Sequence, residues 1–463
     1  MSSPLAELSA RARHAAGFSQ TPGEITAPGV DADILIVGGG QSGLAIAFAL
    51  RRAGIGSVRI IDAAPEGQAG IWATTARMRT LRTPKTIPGP ELGVAELSFA
   101  SWYTALSARA AYDGLGLIPV PLWQDYLDWF AATLGIAVEH DTRLDHVAPG
   151  ENVLHVTLTT PSGVQVQSIR KLVLANGIDG LGAPYLPDAI VALPPAVRAH
   201  TADSIDFSKL AGRRIAVIGG SASAFDAAAT ALEHGAAEVG LFSRSPKLAI
   251  APEITGLNYT LTHRLHDLLS DAARWEIVTN LRRRGTVPLH SVRRAEEFAN
   301  FCTHLGVGLS SLRLEGKDIV IDAPDGPARF DFLIAGTGYR TDLSARPELK
   351  AVAPATQLWK HRAVPSDPRD GLWGEWPYLG RGLALTPRDP PSNNWVSRIH
   401  VYTYAAILSH GLHVGDIATA HIAVPKLVDA LVADLFAEDI AVHETRAIAA
   451  ARAFAAQLAS GQG

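Results

Sequence analysis

The chain has 463 residues, 47% of them hydrophobic, enough to bury the cores of two to four domains at roughly 100–200 residues each. A net charge of −4 without a long basic run argues against nucleic acid as a partner. Cys302 is the only cysteine, which excludes a disulfide framework, a thiolate zinc cluster and a dithiol redox relay, and suits a reducing cytoplasmic setting.

Leu5, Leu8, Ala12 and Ala15 share one face of a short helix near the N-terminus. Arg11 and Arg13 interrupt that segment, so a secretory signal is not expected, and no apolar run of about 18 residues predicts a membrane span. Residues 17–30, rich in Gly, Pro and Thr, read as a linker. The run Ile34-Leu35-Ile36-Val37 follows, without alternation, as expected of a strand buried on both faces of a parallel sheet. Next come Gly38-Gly39-Gly40-Gln41-Ser42-Gly43 and an apolar helical pattern over Leu44–Arg52. This is the strand–turn–helix context that a G-x-G-x-x-G pattern requires. Gly38 permits the tight turn, Gly40 lets the backbone approach a pyrophosphate, and Gly43 lets helix and strand pack closely. Gln41 and Ser42 stand at the helix N-terminus, whose unpaired N–H groups face the phosphates. A second strand, Val58–Ile61, ends at Asp62, about 20 residues beyond the last glycine and placed to accept from a ribose diol.

A second unit of the same kind starts at Ile215-Ala216-Val217-Ile218 and turns through Gly219-Gly220-Ser221-Ala222-Ser223-Ala224. Alanine at the third glycine position is a tolerated variant, and the serine hydroxyls are placed to donate to phosphate oxygens. The helix Phe225–Glu233 and the strand Glu238–Phe242 follow, and that strand ends in Ser243-Arg244-Ser245. An arginine there suits a 2′-phosphate, which a guanidinium grips in a fork, so NADPH is expected rather than NADH. Two dinucleotide sites on one chain point to electron transfer between a nicotinamide and a flavin.

On these motifs the chain resembles the class B flavoprotein monooxygenases, a group that includes flavin-containing, Baeyer–Villiger and N-hydroxylating enzymes. Gly70-Ile71-Trp72 resembles the segment that covers the flavin. Leu172–Gly177, with Ala175 and Gly177 at its end, resembles the strand that closes the first half of the FAD domain. Leu333-Ile334-Ala335-Gly336-Thr337-Gly338 resembles the Ala-Thr-Gly-type strand returning to that domain. The resemblance also assigns Arg79, Leu81 and Val147 to the cofactor. Of the fingerprint between the two sites only His200-Thr201 is present, and Leu81-Arg82-Thr83-Pro84-Lys85 lacks the asparagine of the flavin-containing monooxygenases. The C-terminal stretches Pro391–Trp395, Arg398–His400 and Leu408–Gly411 are similar to a bacterial branch of the group.

The expected fold is therefore α/β, with two Rossmann-like dinucleotide-binding domains. The NADPH domain (206–335) is inserted into an FAD domain (31–205 and 336–463), after an N-terminal extension (1–30). Arg282-Arg283-Arg284 read as a solvated face. Residues 365–376 and 387–394 read as ordered loops near a site, and Val424–Phe436 as a helix packed on the FAD domain.

The resemblance implies that NADPH reduces FAD and that the reduced flavin activates O2 through a C4a-(hydro)peroxyflavin, inserting one oxygen atom into a small organic substrate. An amine nitrogen or a sulfur is the leading target. Baeyer–Villiger oxygenation of a ketone and simple peroxide release by an NADPH oxidase remain as alternatives. Arg82, Asn394 and His400 are the catalytic candidates near the flavin. His410, His413 and His421 lack the carboxylate or fourth ligand of a metal site, so no metal is expected. A homodimer is the default assembly.

Overall fold

Two sheets, one mixed and one wholly parallel, each built around one of the glycine turns, organise the molecule. The computed structural model describes residues 3–18, 29–250, 264–282, 285–362, 371–411 and 413–460. Apolar side chains on both faces make β1 (Ala32–Val37) an interior strand, with its first five residues buried. It lies between β2 (Val58–Ile61) and the C-terminal half of β5 (Gly163–Leu174), in parallel register Val37↔Ile61 and Val37↔Leu174. The N-terminal half of β5 turns antiparallel with β4 (Leu154–Thr160), which pairs in turn with β3 (Arg143–Pro149). A strand from far down the chain, β16 (Ile399–Val401), runs parallel beside β5 and completes this sheet.

The second sheet is parallel throughout and runs in the order β10-β9-β8-β14-β7. It comprises β7 (Arg198–His200), β8 (Arg214–Ile218), β9 (Glu238–Ser243), β10 (Phe301–Leu305) and β14 (Phe332–Ala335). A three-stranded antiparallel sheet of β11 (Arg313–Glu315), β12 (Asp318–Ala323) and β13 (Gly326–Phe330) covers one side of it. The short pair β6 (Gly182–Pro184) and β15 (Tyr339–Thr341) stands where the chain passes between the two units.

Helix α1 (Pro4–Ala15) is capped by Ser3, whose hydroxyl accepts from Ala6 N–H at 3.2 Å. Its buried Leu8 and Ala12 join an aromatic core made by α3 (Phe99–Ser107), α4 (Arg109–Gly114) and α5 (Val120–Leu134). α2 (Gln41–Arg52) and α6 (Ala222–Glu233) follow the two turns. α7 (Asp271–Arg282) and α8 (Leu289–Glu296) come after β9. The predicted C-terminal helix is observed as α9 (Ala420–Glu438), packed against α2, and α10 (Ile440–Ser460) continues from it with its side chains largely exposed. Buried Arg170 fastens the end of α9 to the first sheet through Asp33 (3.1 Å), Glu438 (3.1 Å) and Asp439 (2.8 Å). Among the described residues, no helix is long and apolar enough to cross a membrane.

Candidate functional site

The first glycine turn has no room for side chains. A Cβ on Gly38, which sits at φ +110°, would stand 2.4 Å from the Ala175 carbonyl oxygen, and one on Gly43 only 2.0 Å from that of Gly38. These contacts let the turn fold tightly against β5 and leave Gly40 as a helix cap without a side-chain hydrogen bond. The N-terminus of α2 therefore keeps backbone donors for an anion. Asp62, at the tip of β2, reaches back to the turn: its carboxylate accepts from Gly39 N–H at 2.7 Å and from Ala64 N–H at 2.8 Å. Gly70 closes over the turn, with its Cα 3.1 Å from where a Cβ on Gly40 would lie. Ile71 beside it is exposed.

Gln41 is the junction of this site. Its Oε1 accepts from the indole N–H groups of Trp72 (3.0 Å) and Trp123 (3.1 Å), and its Nε2 donates to Gly415 O at 2.8 Å. Ser42 lines a small cavity beside it, together with Tyr402, Asp416 and Ile417. These last three escaped the sequence reading. The available signal was Gly415-Asp416 directly before a long apolar helix.

The second turn repeats the first. Gly219 sits at φ +137°, and a Cβ there would lie 2.3 Å from Gly336 O. Gly336, in turn, has room for none because Ala224 Cβ stands 2.7 Å from that position. Thus Gly336-Thr337-Gly338 pack on the second turn, as Ala175 and Gly177 follow the strand beside the first. Thr337 Oγ1 also donates to Tyr185 O. Ser221 caps α6 without a side-chain bond and Ser223 is exposed. The first amide of that helix, on Ala222, is spoken for by Thr286 O at 3.1 Å. Ser243 is buried at the end of β9 and Arg244 beside it is exposed. Arg283 and Arg284 of the arginine run lie outside the described residues.

Three arginines, at 77, 79 and 82, lie between the turns, and two of them join the two units. Arg77 donates to the carbonyls of Thr201 and Asp203. Arg79 pairs with Glu233 at 2.6 Å and faces Glu297 at 3.4 Å. Arg82 pairs with Asp226 at 2.6 Å. Arg79 and Arg82 therefore hold the carboxylates of α6 and its neighbour. Asp226 is buried and also accepts from Ser291 Oγ at 3.0 Å, while Arg294 grips Glu233 with two donors at 2.6 and 2.9 Å. His200, at the end of β7, is buried beside Tyr339. Its Nδ1 accepts from Ala202 N–H, and burial holds its pKa below the usual value.

The remaining candidates lie apart from this constellation. Val147 is wholly buried in β3 and pairs with Val156 in β4. His400 is wholly buried in β16, its Nδ1 2.8 Å from Gly382 O, and burial pushes its pKa down to about 4. Asn394 is exposed at the start of a short 3-10 turn. Leu81 is buried, and its N–H donates to Ile118 O at 2.7 Å. Among the described residues no group of three or more His, Cys, Asp or Glu is arranged to hold a metal.

A cavity of about 370 Å³ opens between the loop 81–95 and helices α3–α5. Leu81, Glu91, Phe99, Tyr112 and Trp123 are in its wall. Ile417 lines both this cavity and the small one beside Gln41.

A family model described as pyridine nucleotide-disulphide oxidoreductase matches residues 35–282. A FAD-dependent urate hydroxylase of Xanthomonas campestris pv. campestris is 37% identical over 414 residues, spanning 88% of this chain and 86% of that protein. Among solved structures, ornithine hydroxylase from Pseudomonas aeruginosa superposes with a TM-score of 0.66 at 18% identity, covering 87% of this chain and 99% of that one. An ornithine N-hydroxylase from Kutzneria sp. 744, solved with reduced FAD, NADP+ and L-ornithine, gives 0.65 at 16% identity over 86% and 98% of the two chains. L-lysine 6-monooxygenase from Pseudomonas syringae gives 0.63 at 19% identity over 86% and 99%. At these identities the structural likeness speaks for the fold.

Proposed function

This chain belongs to the pyridine nucleotide-disulphide oxidoreductase family, and we propose on that premise that it is an NADPH- and O2-dependent monooxygenase of a small nitrogen-containing compound. It is a flavin-dependent oxidoreductase related to the class B flavoprotein monooxygenases. FAD is its flavin and NADPH its reductant. The disulfide chemistry in the family's description has no counterpart here, because Cys302 has no second thiol to pair with.

The observation that carries this reading is the twinning of the turns. In both sheets the first glycine lies against the carbonyl that follows a neighbouring strand, in a space that any Cβ would fill. Gly38, Gly40, Gln41, Ser42 and Gly43 would cradle the FAD pyrophosphate, and Asp62 would hold its adenosine ribose. Gly70, Ile71 and Trp72 would cover it, with Ala175 and Gly177 at the sheet edge. Gly219, Ser221, Ala222 and Ser223 would take the NADPH pyrophosphate. Ser243 and Arg244 would hold its 2′-phosphate, with Gly336, Thr337 and Gly338 closing the turn. The corresponding units are 31–205 with 336–463 for FAD and 206–335 for NADPH, the edge strand β7 being lent to the second sheet from before that boundary.

When bound, FAD accepts a hydride from NADPH and activates O2. The chain's own residues position and desolvate. Helix N-termini neutralise phosphates, the indoles of Trp72 and Trp123 fix Gln41 by donating to it, and the arginines at 79 and 82 fix one unit against the other. The named relatives act on urate, ornithine and lysine, which share reactive or ring nitrogen; this supports a nitrogenous substrate over a simple ketone.

The deciding experiment measures NADPH oxidation, O2 consumption and hydrogen peroxide together on FAD-loaded enzyme, with isotopically labelled O2 to trace the oxygen atom. Label in an organic product supports the proposal. Peroxide equal to NADPH consumed, with every substrate tried, makes the protein an oxidase. Label in an ester formed from a ketone makes it a Baeyer–Villiger enzyme.

A further inference from the structure

We propose that the cavity between the loop 81–95 and helices α3–α5 is the substrate site, and that it takes a planar, nitrogen-rich heterocycle whose N–H/C=O edge pairs with Glu91. The inference rests on the monooxygenase reading and adds a place and a substrate class to it.

Four observations converge. The first is position. Trp123 in the cavity wall bonds Gln41 of the flavin turn at 3.1 Å, and Ile417 is shared with the cavity beside Ser42. The chamber is thus one side chain away from the α2 N-terminus.

The second is size and shape. About 370 Å³ lies at the small end of ligand pockets, which run from about 300 to 1,000 Å³, and suits a compact ring system. Phe99 and Trp123, with ring centroids 6.0 Å apart, and Tyr112 make part of the wall aromatic, which suits a flat ring.

The third is the state of the cations in the wall. Lys85 Nζ donates to the carbonyls of Tyr112 (2.6 Å), Asp113 (3.1 Å) and Leu115, closing the end of α4, and Arg109 pairs with Asp113 at 2.9 Å. Both cations are engaged by the protein itself. The carboxylate of a zwitterionic aliphatic amino acid therefore finds no uncommitted cation in this pair.

The fourth is Glu91. Its side chain is buried in the wall, and among the described residues it has no cationic partner. Oε2 accepts from Gly89 N–H at 2.8 Å, and Tyr126 O–H faces it at 3.4 Å while also donating to Leu97 O at 2.9 Å. Burial raises the carboxyl's pKa. Glu91 thus brings a carboxyl without a cationic partner to the cavity wall, a group that accepts from a ring N–H and, in its protonated form, also donates to the neighbouring C=O of a lactam edge. Gly89 holds the arrangement together: a Cβ there would lie 3.0 Å from Trp123, 3.2 Å from Glu91 Oε2 and 3.4 Å from Ile417.

Calorimetric titration of the oxidised, FAD-loaded full chain with urate, xanthine and L-ornithine tests this without turnover. Urate or xanthine should bind and L-ornithine should not. Glu91→Gln keeps one donor and one acceptor and should stay within a few-fold of wild type. Glu91→Leu should weaken binding about tenfold or more. Because Glu91→Leu strands Gly89 N–H, Ala100→Phe supplies a second test: it fills the cavity from α3 and should abolish heterocycle binding while flavin content stays at the wild-type level. Binding of L-ornithine in place of the heterocycles, or binding unaltered in both Glu91→Leu and Ala100→Phe, overturns the proposal. Heterocycle binding without any NADPH oxidation would instead leave the site standing and remove the monooxygenase reading.

Discussion

The Arg82 guanidinium meets the Asp226 carboxylate at 2.6 Å, joining the loop after the first nucleotide turn to the helix behind the second. Asp226 is nearly as buried as a core residue, whereas the Arg82 side chain is about one third exposed. Their contact therefore seals an edge between two units. Arg82→Ala leaves the carboxylate with Ser291 at 3.0 Å and Arg294 at 3.8 Å, so the loss should be about 1–3 kcal/mol and not the larger cost of a stranded buried charge. The expected outcome is a lowered unfolding midpoint and slower flavin reduction by NADPH, with flavin content retained. Thermal unfolding and anaerobic reduction kinetics check this. An unchanged reduction rate would confine the pair to stability.

The twinned turns predict separable defects. Gly219→Ala places a methyl group 2.3 Å from Gly336 O at a positive φ, and it should yield a protein that holds FAD but is not reduced by NADPH. Gly43→Ala, with its methyl 2.0 Å from Gly38 O, should yield protein depleted of FAD. Absorbance of the purified variants, followed by anaerobic NADPH titration, reads both effects.

Arg244 is exposed at the end of β9, where a 2′-phosphate would arrive. Arg244→Ala should raise the KM for NADPH about tenfold to a hundredfold, the loss of a charge-assisted bond of about 1.5–3 kcal/mol, and should leave the KM for NADH within a few-fold. Parallel initial-rate measurements with the two nicotinamides decide it. Equal losses with both would place the guanidinium elsewhere.

How much of this was legible in the sequence follows from range. The turns were, because a buried strand, its glycines and the next helix are contiguous, even though the carbonyls that exclude a side chain at Gly38 and Gly219 come from Ala175 and Gly336. The inter-unit arginines were not. Arg79 is met by Glu233, and Arg82 finds Asp226 from 144 residues away. No periodicity encodes such a pairing. His400 sits in a stretch that looks like an active-site loop, yet β16 inserts beside β5 and buries the ring. Glu91 gave no signal, since its meaning depends on Tyr126 and Trp123 arriving from α5.

Buried neutral imidazoles set an acid limit on stability. His400 and His266 have pKa values pushed down to about 4 by burial, and His410 to about 3. In the unfolded chain each returns to about 6.5. Between those values the unfolded state binds more protons, so stability is full above about pH 6.5 and falls as pH drops toward 4. For His400 the total is on the order of 3 kcal/mol. His400→Asn can still donate to Gly382 O and does not titrate there. Its urea midpoint should change less between pH 7 and pH 5 than the wild-type midpoint. An identical pH dependence in the two proteins would show that His400 is not held neutral.

Gln41 makes the sharpest prediction about the flavin site, because one amide serves three distant segments. Its oxygen takes the indole N–H groups of Trp72 and Trp123, and its nitrogen serves Gly415 O. Gln41→Leu strands all three groups, each worth about 1 kcal/mol. The cover over the first turn and the wall of the adjoining cavity then lose their common anchor. FAD should bind about tenfold to a hundredfold more weakly, and the unfolding midpoint should fall. Gln41→Glu keeps the acceptor for both indoles and loses only the donation to Gly415, so its FAD affinity should lie between the other two. Titration of apoprotein with FAD, followed by the quenching of flavin fluorescence, orders the three proteins. If Gln41→Glu binds no better than Gln41→Leu, the indoles do not depend on this oxygen, and Trp72 and Trp123 are held by packing alone.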